Sequence, residues 1–231
     1  MILFDEASHT YKNSDTNRPY LSVSKLISLY KEPFDKEYWS KRTALKEGVS
    51  QQEILTRWET HTKDRCDYGK LKHSIVEEYL KNDNIDDISL IKDFKTVFNK
   101  KDYKRILSEE LVYDDIYEVA GTSDIICDVD DATFDVYDLK TNSKFLFENK
   151  YGKYLKAPLN NLQQCQYNDY SIQLSLYAYL YSGLTNKKVR KICILYHDGK
   201  QFHTYPTPYL FWEISALLKH YSNTNGQTTV K

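Results

Sequence analysis

The chain has 231 residues, 41% of them hydrophobic and 14% aromatic, which is enough for one or two compact domains and excludes wholesale disorder. Its 32 Lys plus Arg against 33 Asp plus Glu give a formal net charge of −1, which excludes a globally basic nucleic-acid coat but leaves room for a local basic groove. With 7 Gly and 5 Pro it is neither linker-rich nor collagen-like.

From the N-terminus, residues 2–11 and 18–21 read as two short strands around a polar turn from Lys12 to Asn17. Ser22 or Ser24 can cap a helix in which Val23, Leu26, Ile27 and Tyr30 keep a helical period, and Pro33 ends it. A second helix is expected from Asp35 to Lys46, stopping near Gly48. A long helical region follows from about Gln51 to Asn82, broken near Gly69, with an apolar stripe of Leu71, Ile75, Val76, Tyr79 and Leu80. Another amphipathic helix covers Asp87 to Asn99.

The texture changes near Tyr103. Three strands are expected at Arg105–Tyr113, Tyr117–Val129 and Ala132–Thr141, separated by Asp114-Asp115 and Asp130-Asp131, and the short connections imply an antiparallel meander. A long loop spans Asn142 to Asn168, a length that inside a compact domain tends to be functional. A helix follows from Asp169 to Ser182, with Asp169 or Ser171 as cap and Gly183 as stop. Strands Lys191–Tyr196 and Gln201–Tyr205 join through His197-Asp198-Gly199-Lys200, a hairpin signal. A last helix runs from Tyr209 to His220. The whole is an α+β chain with one mixed sheet.

The sparse cysteines, Cys66, Cys127, Cys165 and Cys193, form no CxxC pair, so a zinc ribbon or redox dithiol is not expected, and reduced thiols in a cytoplasm are. Asp5 and Glu6 come too early for a secretory leader, and no apolar run reaches the ~18 residues of a membrane span, so no membrane partner is expected. The 21 tyrosines carry no functional weight, since an AT-rich coding genome produces the same bias.

Chemistry concentrates in Gly121-Thr122-Ser123-Asp124 and Tyr137-Asp138-Leu139-Lys140-Thr141. Positions two apart on a strand share a face, so Asp138 and Lys140 deliver a carboxylate and an ammonium to one point, at the end of an apolar row with Phe134 and Val136. Asp124 lies on the preceding strand. Two carboxylates with an open edge suit Mg²⁺ or Mn²⁺, and a nearby lysine can orient an attacking water. Standing alone, Asp-x-Lys is more often an ion pair on a solvated strand face. Other positions frame it. His73 and Glu77 share a helical face, Glu110 lies on the strand before Asp124, and Gln173 and Tyr177 are one turn apart on the following helix.

The order Gly69-x3-His73, Glu110, Gly121-x2-Asp124, Asp138-x-Lys140, Gln173-x3-Tyr177 resembles the RecB-type branch of the PD-(D/E)XK nucleases. Leu21-Ser22-Val23-Ser24, Trp39, Trp58 and Pro158-Leu159-x2-Leu162 extend the resemblance toward phage and mitochondrial-genome-maintenance-like exonucleases. Two positions depart from the pattern: Ser123 replaces the proline of the family name, and Lys70 stands where a small hydroxyl residue is usual. The resemblance implies a restriction-endonuclease-like core with a central mixed sheet flanked by helices and an N-terminal helical region. Residues 1–102 would complete the nuclease domain, 103–222 would form its core, and 223–231 would be a polar tail.

The resemblance further implies that His73, Asp124 and Asp138 hold Mg²⁺ or Mn²⁺ and that Lys140 positions the nucleophilic water. Gln173 and Tyr177 would orient the site or touch the DNA backbone, and Glu110 would support it. Some relatives carry an iron–sulfur cluster on one early and three late cysteines. Only Cys193 follows the Gln173 helix, so no such cluster is expected. DNA is the expected partner, with replication or recombination proteins as further ones. The loop from Lys144 to Lys156 carries Lys144, Lys150, Lys153 and Lys156 against Glu148, with Phe145, Phe147, Tyr151 and Tyr154 interleaved, a pattern suited to phosphate contacts and base stacking. The run Lys187-Lys188-Val189-Arg190-Lys191 reads instead as a solvated turn. The expected activity is metal-dependent DNA hydrolysis, as an exonuclease. The alternatives are a structure-specific endonuclease, or a catalytically silent DNA-binding or assembly module of the same fold.

Overall fold

The computed structural model describes residues 2–5, 8, 10–82 and 88–224. Eight strands form one mixed sheet in the order β1-β2-β3-β5-β6-β7-β8, with β4 paired to β5. The strands are β1 (Ile2–Asp5), β2 (Thr10–Asn13), β3 (Pro19–Ser22), β4 (Arg105–Asp114), β5 (Val119–Asp128), β6 (Thr133–Lys140), β7 (Lys188–His197) and β8 (Phe202–Thr207). The helices are α1 (Val23–Leu29), α2 (Lys36–Glu47), α3 (Gln51–Lys81), α4 (Ser89–Val97), α5 (Gln166–Thr185) and α6 (Phe211–Thr224). A central mixed sheet flanked by helices fits a restriction-endonuclease-like core. No described helix is long and apolar enough to cross a membrane.

The sheet buries both faces. On one side α1, α5 and α6 close a core around Leu26, Phe134, Val136, Ile172, Leu176 and Ile194. On the other, α3 and α4 pack Val76, Tyr79, Ile91 and Phe94 against Ile125, Tyr137 and Leu139. β6 therefore alternates cleanly, even residues to the α5 side and odd residues to the α3 side.

Local chemistry sets the boundaries. Ser22 accepts the Lys25 N–H at the start of α1, Asp35 accepts that of Tyr38 at the start of α2, and Gly48 ends α2 with φ 69°. Ser50 accepts the Glu53 N–H at the head of α3, whose 31 residues run unbroken for about 46 Å. The break expected near Gly69 is absent. A Cβ there would lie 3.3 Å from Thr141 Oγ1, so this glycine lets the helix approach the end of β6 closely.

Other expectations are corrected. The first strand is two, β1 and β2, paired antiparallel as a hairpin. Leu71 leaves the apolar stripe and is exposed. α5 begins three residues early, after Cys165, because Asp169 is held by Lys31 at 2.8 Å and the Ser171 hydroxyl donates back to the Tyr167 carbonyl. It also passes Gly183 and ends at Asn186, whose φ of 58° supplies the left-handed cap. β7 starts at Lys188, and α6 starts at Phe211 and continues to Thr224. The start of the fourth helix expected at Asp87, and the tail beyond residue 224, lie outside the described residues.

Candidate metal centre

β5 organises the site. β4 pairs along one of its edges. The other edge is shared: β3 runs parallel to Val119–Ala120, and β6 runs antiparallel to Ile125–Asp128. Between them, Gly121 to Asp124 have no ladder partner on that edge among the described residues. The β5–β6 register ends at Ile125↔Tyr137, so Asp124 and Asp138 stand where the two strands have parted. The Asp124 carboxylate bridges the gap by accepting the Leu139 N–H at 2.7 Å.

Asp138 follows Phe134 and Val136 on the α5 side of β6 and is 1% exposed. Lys140 Nζ lies 2.6 Å from its Oδ2 and 4.8 Å from the centre of the Tyr170 ring on α5. Neither Asp138 oxygen has a well-directed hydrogen bond among the described residues, so the ion pair with Lys140 is its main compensation. Burial drives the Asp138 carboxyl up, Lys140 opposes this, and the neighbouring Asp124 adds to the rise. Burial alone would lower Lys140, but Asp138 and Asp124 outweigh it and keep the ammonium charged. Both partners therefore shift upward, Asp138 chiefly through burial and Lys140 through the two carboxylates beside it.

From the opposite side, α3 brings His73, with Nδ1 3.6 Å from Asp124 Oδ2. β4 brings Glu109. One donor atom each from His73, Glu109 and Asp124 lie within 4.8 Å of one another, a group that could hold a metal ion. Glu109 is exposed as a residue, and its carboxyl joins this group. Lost hydration, then the charges of Asp124, Glu77 and Asp138, push it up to about 8. A small cavity of about 10 Å³, lined by His73, Glu77, Glu109, Asp124 and Leu139 among others, is the size for one water or one cation. An oxygen-rich set with one imidazole suits a hard divalent ion.

The expected acidic residue was Glu110, and the structure puts Glu109 in its place. Leu107 packs on the α5 side of the sheet, yet so does Val112, five residues later. Strict alternation would put them on opposite faces, so the pleat slips once between them. The slip falls at Glu109, which has φ 52° and makes no ladder pair, although Ser108↔Ile125 and Glu110↔Ser123 flank it in unbroken register. Glu110 thereby faces the α5 side, where its charge, after burial and Asp128, helps raise the Tyr181 phenol. The adjacent Glu109-Glu110 was the one signal available in the sequence. Of the expected metal residues His73, Asp124 and Asp138, the structure groups His73 and Asp124 with Glu109, a set that could hold a metal ion, and pairs Asp138 with Lys140.

Gln173 and Tyr177 sit together on α5, Gln173 Nε2 donating to the Tyr177 hydroxyl at 3.0 Å. Tyr177 is buried, and its phenol is driven up by burial and by Asp138. Its ring abuts Gly121, where a Cβ would come within 2.7 Å of Cε1. Gly121 is therefore the close-approach point that lets α5 press on the stretch of β5 that pairs with β4 alone.

A groove of about 370 Å³ opens from this centre between α3 and the end of β6, lined by His61, Arg65, His73, Lys140, Asn142 and Tyr170 among others. Arg65 donates to the Thr141 carbonyl and lies over the Tyr68 ring. In the loop, Lys144, Lys150, Lys153 and Lys156 are all exposed, as are Tyr151 and Tyr154. Phe145 is different: it packs into a ring cluster with Tyr170, Tyr196 and Tyr205, while Phe147 meets Tyr167 at a tilt and Tyr205 edge-on. These two anchor the loop. In the run 187–191, Lys187 pairs with the buried Asp128 at 2.7 Å, and Arg190 makes two bonds to the fully buried Asp135. That run neutralises buried acids and is not merely a solvated turn.

No family profile matches the sequence, and no curated protein matches it. Among solved structures, one similar chain is that of SSO0001, at 16% identity, with 90% of this chain and 77% of the other covered and a TM-score of 0.39. Another is a protein of Eubacterium rectale named "Putative exonuclease", at 13% identity, with 69% and 68% covered and a TM-score of 0.37. Both likenesses are distant.

Proposed function

We propose that this protein is a divalent-metal-dependent deoxyribonuclease, using Mg²⁺ or Mn²⁺ and acting on DNA ends. The observation that carries the reading is the meeting of His73, Glu109 and Asp124 with the buried Asp138–Lys140 pair at the parted strands of one sheet. Exonuclease action comes from the sequence resemblance. His73, Glu109 and Asp124 would hold the cation, with Asp138 behind them. When bound, it would supply positive charge to offset the negative charge that develops on a phosphate oxygen.

The chain's own residues supply the rest. Lys140, kept charged and seated under Tyr170, is placed to donate to the attacking water or to a non-bridging phosphate oxygen. Water adds in line at phosphorus and releases a proton to solvent, the bond to the leaving oxygen breaks, and that oxygen takes up a proton from solvent. Gln173 and Tyr177 hold the α5 side of the pocket in place. The exposed Lys144, Lys150, Lys153 and Lys156 would offer phosphate contacts, with Tyr151 and Tyr154 between them.

The test is end-labelled single- and double-stranded DNA incubated with the purified protein, with divalent metal or with EDTA. Cleavage that needs metal and is lost in both Asp138→Ala and Lys140→Ala is expected. DNA affinity that falls with salt, without turnover under any metal, would assign the chain to the catalytically silent alternative.

A further inference from the structure

Lys140 carries its ammonium on a flexible four-carbon stem, with three donors that spin freely about the last bond. A single partner does not fix such a group. Asp138 supplies one fixed point, with Oδ2 2.6 Å from Nζ. The structure supplies a second from α5, where the Tyr170 ring centre lies 4.8 Å from the same Nζ. Tyr170, Gln173 and Tyr177 fall at helical spacing on one face of α5. That face carries Tyr177 against Gly121 of β5 and Tyr170 against Lys140 of β6.

The chain just past Lys140 is clamped as well. Arg65 donates to the Thr141 carbonyl, and the Tyr196 hydroxyl donates to the Asn142 carbonyl at 3.0 Å. The Tyr170 hydroxyl adds a longer bond to Asn142 Oδ1 at 3.4 Å. Tyr170 therefore touches Lys140 through its ring and the backbone clamp through its hydroxyl. Its ring is itself backed by Phe145, 5.9 Å away centre to centre, which packs in turn on Tyr196 and Tyr205 at 5.1 and 4.7 Å. Tyr170 is half-buried and lines the groove together with Lys140. The ring that meets the ammonium is thus held in place from behind.

An aromatic face is negative and attracts an ammonium, more strongly where water is scarce, and the Lys140 side chain is 18% exposed. We infer that Tyr170 is a positioning residue of this centre, its ring face holding the Lys140 ammonium against Asp138 so that the remaining N–H is turned into the groove. The ring is the working part, and the hydroxyl serves the Asn142 clamp. The reaction that this position serves rests on the nuclease reading above. The hold on Lys140 does not, so the two can be tested apart.

The first test is NMR of the lysine ε-methylene groups in EDTA, with the Lys140 signal assigned by its loss in Lys140→Arg. Shielding by the ring should place that signal upfield of those of the exposed lysines. Tyr170→Phe should keep it there, and Tyr170→Leu should move it to the exposed-lysine position. The second test is steady-state cleavage of end-labelled DNA with Mg²⁺. Tyr170→Phe should keep the wild-type kcat, and Tyr170→Leu should lower kcat about 100-fold with KM unchanged, as a displaced catalytic group does. Leucine also alters packing on α5, so folding is checked by circular dichroism. A series of fluorinated phenylalanines at position 170 then keeps the ring's shape while draining charge from its face. kcat should fall stepwise along that series. A Lys140 signal that ignores Tyr170→Leu, or a flat kcat along the fluorinated series, overturns the inference. If no metal supports cleavage but the Lys140 signal follows the ring, the hold on Lys140 stands and the nuclease reading falls. If cleavage requires Lys140 but ignores both Tyr170→Leu and fluorination, the inference falls alone.

Discussion

Replacing Asp138 by Asn should cost the metal-free protein little stability, or raise it, while abolishing cleavage. The pair Asp138–Lys140 is nearly sealed from water, with Asp138 side chain 1% and Lys140 side chain 18% exposed and 2.6 Å between charges. At an effective dielectric of ~20 that separation is worth about 6 kcal/mol of attraction. Removing each ion from water costs several kcal/mol, and Asp124 adds repulsion. The terms nearly cancel, with Asp138 on the losing side. Asn keeps the shape without the charge, and Lys140, at the mouth of the groove, can turn to water. Unchanged stability, or a gain of up to roughly 2 kcal/mol, is expected, and for a chain of this size the full gain would raise Tm by about 4–8 °C. Lys140→Ala is the opposite case: it strands a buried carboxylate and should cost about 3–5 kcal/mol. Calorimetric melting of wild type and both variants, in EDTA and in excess Mg²⁺, is the assay. Mg²⁺ should raise the Tm of wild type and of Asp138→Asn alike, since the group that could hold it is His73, Glu109 and Asp124. A loss above about 2 kcal/mol in EDTA for Asp138→Asn, or an abolished Mg²⁺ shift, would refute the reasoning.

Three further outcomes are expected. Glu109 is pushed up to about 8, so at neutral pH it must give up a proton to bind a cation: metal affinity should rise with pH toward 8 and above, with proton release seen by titration calorimetry in buffers of different ionisation enthalpy. Glu109→Gln should weaken binding and remove that pH dependence. Gly121→Ala would place a Cβ 2.7 Å from Tyr177 Cε1 and 3.1 Å from Val23, which should cost roughly 1–3 kcal/mol in urea unfolding. Adding Tyr177→Leu should recover much of the loss, and additivity of the two would contradict the contact. On acidification, His197, held down from 6.5 by burial and by Lys72, and Asp198, held down from 3.8 by the Gln201 N–H and His203, both have folded values below their unfolded ones. The unfolded chain then takes up protons first, so both contributions are complete above the unfolded values and are lost as pH falls. His197→Asn should flatten the decline that begins below 6.5 and leave the later one, as read by urea unfolding across pH.

Much of this architecture is legible in the sequence because its signals are local. Ser22 before a helical period, Gly48 after one, and paired aspartates between apolar runs each act within a few residues. Asp138 and Lys140 were readable for the same reason, since the period-2 pattern from Phe134 fixes their face. What was not legible depended on distant atoms. Gly69 reads as a helix breaker until Thr141 is seen against it. Asp169 reads as a cap until Lys31 claims it. Glu109 was hidden by a slip of the pleat, which strict alternation cannot express and which handed the position to Glu110. The run from Lys187 to Lys191 looked solvated because its partners, Asp128 and Asp135, lie more than fifty residues earlier and are buried.

The central claim is that one cation sits among His73, Glu109 and Asp124, beside Asp138. Anomalous diffraction from crystals soaked in Mn²⁺ tests it directly. The account predicts a peak within coordination distance of His73, Glu109 and Asp124, lost in Asp124→Asn. An ordered crystal with no peak there, or with Mn²⁺ bound only elsewhere, would contradict it.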